Sequence, residues 1–109
     1  MIVERFALPK AYVEIRTLPG WQGSVVRDVE RMRGAGAGSP IRDCDVIFGD
    51  YDLMVIVEDK DRKVFHKAVG DISRLNGVSS TNSRVVMDKE DVEGSLGAKL
   101  RPSKLYGAP

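Results

Sequence analysis

The spacing of apolar positions changes repeatedly along this chain, and each change predicts a new element. Ala11–Thr17 alternates, with Val13 and Ile15 on one side and Tyr12, Glu14 and Arg16 on the other, as in a half-buried strand. Leu18-Pro19-Gly20 breaks it. From Trp21 to about Arg33 the spacing becomes helical: Val25, Val29 and Met32 form a stripe with Val26 beside it, while Arg27, Asp28, Glu30 and Arg31 face out. Gly34–Pro40 ends that helix in a flexible connection. Cys44–Glu58 then alternates loosely around Gly49-Asp50 and reads as a β-hairpin. Asp59 or Asp61 can cap a second helix through Leu75, with Phe65, Ala68, Val69, Ile72 and Leu75 as its inner stripe. Asn76-Gly77 stops it, and Val78–Met87 forms the last strand, with Thr81, Ser83, Val85 and Met87 on one side.

The order β-α-β-β-α-β predicts an α+β fold, a ferredoxin-like sandwich of four antiparallel strands with both helices on one face. A two-residue loop at Gly49-Asp50 would pair Phe48 with Tyr51, Val46 with Leu53 and Cys44 with Val55. Those six then share one face, and Ile47, Asp52, Met54 and Ile56 share the other. Both faces carry apolar residues, but a domain of this size can cover only one with helices. The open face is therefore expected to pair sheet to sheet in a dimer. Three regions are expected: an N-terminal arm at 1–10, a domain at 11–87 and a C-terminal tail at 88–109. The arm, with Ile2, Val3, Phe6 and Leu8, is expected to lie along a partner subunit. The tail, polar and containing Gly and Pro, is expected to be mobile or to order on a neighbour.

Composition narrows the function. Charged residues make up 30% of the chain but nearly cancel, leaving a net charge of +1, so no basic field exists to hold nucleic acid directly. No apolar run approaches the roughly 18 residues of a membrane span, and no secretory signal pattern opens the chain. The single cysteine forbids an internal disulfide, which fits the cytoplasm. Cys44 is expected to pack as a small hydrophobe. His66, the only histidine, falls beside the apolar stripe of the second helix and reads as a surface residue rather than a catalytic base. Trp21 is expected either to pack on the first strand or to line a contact between dimers. Asp43, Asp45 and Asp52 fall on one face, but they lack calcium-loop spacing and any His or Cys partner, so a solvated or inter-subunit acidic patch is expected rather than a metal site. No cofactor is expected. The candidate chemistry sits at the hairpin tip, where Asp50 and Asp52 can meet a small polar ligand; the alternative is an ordinary turn with solvated carboxylates.

Three segments together carry a resemblance. AYVEIRTLPG at Ala11–Gly20, CDVIFGDYDLMVIVE at Cys44–Glu58 and LNGVSSTNSRVVM at Leu75–Met87 resemble the effector-binding domain of the Lrp/AsnC transcriptional regulators, also called the RAM domain. The Gly34–Pro40 connection is longer than the family's usual link, the tail is extra, and Thr81 and Ser83 stand where relatives often show two threonines. The resemblance implies sheet-to-sheet homodimers joined into rings, with a small amino acid bound between neighbouring dimers. It further implies a ligand wall at Gly49, Asp50, Tyr51 and Asp52, with Thr81 and Ser83 nearby. Asp52 would pair with the ligand's ammonium group, backbone amides of the glycine turn would hold its carboxylate, and hydroxyls would orient it.

Full-length relatives carry a helix-turn-helix ahead of this domain. With ten residues before the first strand, a stand-alone, non-enzymatic regulatory domain is expected, one able to co-assemble with full-length Lrp/AsnC regulators. Two other classes remain open. A small dimeric α+β-barrel enzyme would need an acid/base or haem-ligating constellation, and a structural assembly adaptor would need no ligand. An ACT-type amino-acid-binding domain would favour a glycine-rich turn after the first strand.

Overall fold

Alternation in the first strand becomes burial in the structure. Ala11, Val13 and Ile15 are completely buried, while Tyr12 and Glu14 between them are only partly covered. The computed structural model describes residues 8–34 and 38–86. Its elements run β1 (Lys10–Thr17), α1 (Gln22–Arg33), β2 (Ile41–Val46), β3 (Leu53–Glu58), α2 (Arg62–Ser73) and β4 (Val78–Val85). The strands form one antiparallel sheet in the order β2-β3-β1-β4, so β3 and β1 are central and β2 and β4 are edges. This is the expected ferredoxin-like sandwich.

Register shows which face the helices cover. Val13 lies opposite Val55, and Ile15 opposite Leu53. These residues join Ala11, Ile41 and Val57 in one core with Val25 and Val29 of α1 and with Phe65, Ala68 and Ile72 of α2. Both helices therefore pack on one face. The core is mostly valine and isoleucine, whose stiff branched side chains suit a pleated surface. Tyr12, Glu14, Met54 and Ile56 point to the open face. The Lys10 ammonium stands 5.3 Å from the centre of the Tyr12 ring there, a cation–π contact.

Element ends follow capping chemistry. Of the two candidate caps for α2, Asp61 fills the position: its Oδ1 accepts the N–H groups of Lys63 and Val64 at 2.8 and 3.4 Å. Asp59 instead accepts the N–H of Asp61. The helix stops at Ser73, short of the expected Leu75, because Arg74 and Leu75 donate to Asp71 and Ile72 in tighter three-residue turns. Leu75 still packs against the core.

The hairpin departs from expectation. Val46 pairs with Leu53 and Cys44 with Val55 as predicted, but Phe48 and Tyr51 do not pair. The strands stop at Val46 and Leu53, and a bond from Ile47 N–H to the Asp52 carbonyl, 2.9 Å, closes a four-residue loop of Phe48, Gly49, Asp50 and Tyr51. Gly49 turns the loop at φ +126°. Phe48 leaves the predicted face and is fully exposed, and Val46 on the edge strand is 59% exposed. The cause is β1, which draws Asp50 and Asp52 onto itself and widens the turn. β2 also begins earlier than the hairpin pattern suggested, at Ile41, with a bulge between Ile41 and Asp43. The N-terminal arm before Leu8, Met87 and the tail lie outside the described residues, as do the expectations made of them.

Candidate functional site

One end of the sheet gathers the close of β1, the loop between β2 and β3, and the turn into β4. Asp52 fastens the loop to β1 by three bonds. Its N–H donates to the Ile15 carbonyl at 2.8 Å, and its Oδ2 accepts the Thr17 N–H at 2.8 Å and the Thr17 hydroxyl at 3.0 Å. The carboxylate thus acts as one more rung of the β1–β3 ladder, standing where a backbone carbonyl would otherwise serve. Charge-assisted bonds of this kind are the stronger sort.

Arg16 makes the second tie. Its Nε donates to the Asp50 carbonyl at 2.8 Å, and its guanidinium carbon stands 5.1 Å from the centre of the Tyr51 ring. Three of the four predicted loop residues, Asp50, Tyr51 and Asp52, are therefore held against Arg16 and Thr17, and Gly49 makes the turn beside them. The Asp50 carboxylate accepts no hydrogen bond from the described residues and is open to a visitor. Sequence periodicity placed Arg16 on the outward side of its strand but gave no sign that it reaches a loop 34 residues away.

Thr81 and Ser83 do not join this group within one chain. Thr81 lies opposite Ile15 and Ser83 opposite Val13, so both turn to the helix-facing side of the β4 edge. β1 stands between them and the loop, a separation of about two strand spacings, or roughly 10 Å. Asn82 and Arg84 face the other way. Asn82 Nδ2 and Arg84 Nε donate to Glu14 Oε1 at 3.0 and 3.1 Å, holding the Glu14 carboxyl below the usual glutamate range. The turn entering β4 is anchored by Leu18 N–H to the Gly77 carbonyl at 2.8 Å and by the Ser79 hydroxyl to the Arg16 carbonyl at 3.1 Å.

The remaining candidates resolve individually. Asp43 accepts its neighbour's N–H from Cys44 at 2.8 Å and lies 3.8 Å from Arg33, whereas Asp52 is tied to Thr17. Among the described residues, no three acidic, histidine or cysteine side chains gather as metal ligands. Cys44 packs against the core, and burial, with Glu30, Asp45 and Asp43 nearby, pushes its thiol up to about 11. His66 sits exposed on α2 with its ring edge-on to Phe65 at 5.2 Å. Trp21 packs on Gly77 at the turn before β4 and is 42% exposed. A shallow apolar cleft of about 290 Å³ lies between the end of α1 and α2, over Met32, Ile41, Val64 and Ala68, away from the loop. No helix among the described residues is long and apolar enough to cross a membrane.

Comparison with known proteins adds an independent line. The family model described as the Lrp/AsnC ligand binding domain matches residues 10–95. No curated protein matches the chain. Among solved structures, FFRP-DM1 superposes with a TM-score of 0.62 at 20% identity, over 73% of this chain and 100% of that one. TTHA0845 from Thermus thermophilus gives a TM-score of 0.62 at 21% identity, over 73% and 94%. The transcriptional regulator NMB0573 from Neisseria meningitidis, in complex with L-Met, gives 0.52 at 14% identity, over 82% of this chain and 56% of the regulator. At these identities the likeness is one of fold.

Proposed function

The chain belongs to the Lrp/AsnC ligand-binding-domain family, and from that premise we propose that it senses a small amino acid at subunit interfaces and modulates transcription through assembly. At the coarser level it is a regulatory, effector-binding type of domain. The observation that carries the finer proposal is the family match, which spans every element from β1 to β4. The loop Gly49-Asp50-Tyr51-Asp52 is the proposed wall for the ligand's polar headgroup, and the uncommitted Asp50 carboxylate and the fixed backbone of the loop suit that role. Thr81 and Ser83, on an exposed edge strand, would act on ligand held by a neighbouring subunit. The L-Met complex of NMB0573 supports an amino acid as the ligand class, since that regulator shares the fold.

The mechanism is population shift. A ligand wedged between subunits stabilises the assembly that contains it by its differential affinity, and a ligand with equal affinity for both states moves nothing. The assembly would be built from homodimers paired through the open sheet face, whose Tyr12, Met54 and Ile56 are only half-covered in a single chain. Rings of such dimers, or mixed assemblies with full-length Lrp/AsnC regulators, would carry the signal. The protein would act in the cytoplasm and without catalysis; its one histidine lies on the outer surface of α2.

Thermal unfolding against the twenty amino acids tests this, with sedimentation alongside. A ligand at about a hundred times its dissociation constant adds about 2.7 kcal/mol of apparent stability. A selective shift with a change in assembly supports effector sensing. A flat panel points to the structural adaptor, which the exposed Phe48 at the loop tip favours as the second reading.

A further inference from the structure

The penultimate residue of β1, Arg16, is a cation that the described residues position but do not neutralise. Among those residues, Arg31, Arg33, Arg42, Arg74 and Arg84 each stand within 4.0 Å of a carboxylate. Arg16, Arg27 and Arg62 do not. Of these three, only Arg16 is held by other contacts: a neutral carbonyl on Nε and the Tyr51 ring near its guanidinium. Both contacts orient the planar group, and neither cancels its charge. Its two terminal nitrogens have no hydrogen-bond partner among the described residues.

On the reading of the loop as an effector wall, we infer that Arg16 is the anchor for the ligand's carboxylate and that Asp50 receives its ammonium group, so the site takes a free α-amino acid rather than a neutral analogue. A guanidinium fork matches a carboxylate with two parallel bonds, and a group already oriented loses less freedom on binding than a mobile one. Asp50 carries an uncommitted carboxylate on the same residue whose backbone carbonyl holds Arg16. Asp52 is the poorer ammonium partner, since its Oδ2 already serves Thr17 twice. The headgroup would thus lie across the loop tip, carboxylate towards β1 and ammonium towards Asp50.

The test uses the full chain and isothermal titration with two ligands: the amino acid giving the largest thermal shift, and its carboxamide, which keeps the ammonium group but loses the carboxylate charge. The wild type should prefer the acid by about tenfold or more. In Arg16→Gln the acid should weaken by about tenfold while the carboxamide stays within about threefold, so the preference collapses; Arg16→Lys should retain part of it. Circular dichroism confirms that each variant is folded. If Arg16→Gln keeps the preference for the acid, another group holds the carboxylate and the inference is overturned. If both ligands weaken equally, Arg16 merely braces the loop, and the inference is again overturned while effector binding stands. If no amino acid binds the wild type, the effector reading itself fails and takes this one with it.

Discussion

The Trp21 side chain occupies the space that a side chain at Gly77 would need. A Cβ on Gly77 would lie 2.6 Å from Trp21 Cε3 and 2.7 Å from Trp21 Cβ, and Gly77 holds φ +92°, where side chains are strained. The pair locks the entry of α1 to the turn before β4.

Gly77→Ala should therefore cost about 2–4 kcal/mol, combining left-handed strain with overpacking. Urea denaturation reads it directly. In a Trp21→Gly background, which removes the Cβ as well as the indole, the clash disappears, and the same change should cost only the strain, about 1–2 kcal/mol. Equal penalties in the two backgrounds would show that the indole is not the obstacle.

Asp50 and Asp52 should separate in a stability experiment without any ligand. Asp52→Ala leaves the Thr17 N–H without its partner and should lose about 1–3 kcal/mol. Asp50→Ala removes a side chain with no partner among the described residues and should stay within about 0.5 kcal/mol of wild type. Loss of binding in Asp52→Ala is therefore ambiguous, and Asp50→Ala is the cleaner probe of the site. Denaturation midpoints that coincide for both variants would refute the structural role of Asp52.

Cys44 should react slowly. With the thiol at about 11 rather than the ordinary 9.0, the thiolate fraction at pH 8 falls about a hundredfold, and alkylation by iodoacetamide should fall with it. The fold favours the protonated thiol, so the stability this group contributes is fully present below pH 9 and is lost as pH rises towards 11. Alkylation should climb over the same window, and unfolding in urea should restore the ordinary rate at pH 8. A folded-state rate equal to the unfolded one would contradict the burial.

The fold was legible wherever one face of an element is buried. Val13 and Ile15, Val25 and Val29, and Phe65, Ala68 and Ile72 keep the period of their element because the core demands it. Legibility failed at edges and tips. The start of β2 was hidden because Arg42 and Asp43 carry no alternation and a bulge interrupts the register. Leu75 continued the helical stripe although α2 had ended, because a turn residue can be apolar and still reach the core. At the site, Gly49 and its neighbours were visible as turn chemistry. Their partners Arg16 and Thr17 were not, because no local pattern encodes which strand end a loop will lean upon. The choice of a two-residue turn failed for the same reason: Gly-Asp favours it locally, but donors on β1 claim Asp52.

Phe48 separates folding from association. It is fully exposed in the single chain, so Phe48→Ser should leave the stability of the isolated subunit within about 0.5 kcal/mol. If the loop tip joins subunits, the same change should weaken association by about 1.5–3 kcal/mol per buried ring, roughly ten- to a hundredfold in the dissociation constant. Analytical ultracentrifugation over a concentration series distinguishes a contact residue, whose loss shifts the oligomer, from a solvated one, whose loss does not.

The bonds that shape the loop join residues 34 and 35 positions apart, Arg16 to Asp50 and Thr17 to Asp52. Neither bond can form in a detached hairpin. Each waits until β1 has docked beside β3 and the entropy of closing that long loop has been met by the core beneath. The tip therefore acquires its final shape only after the central strands are zipped. A partly folded chain that presents the same residues without that register would lack the proposed ligand wall, so on that proposal any response to ligand would come only from subunits that had completed their sheet.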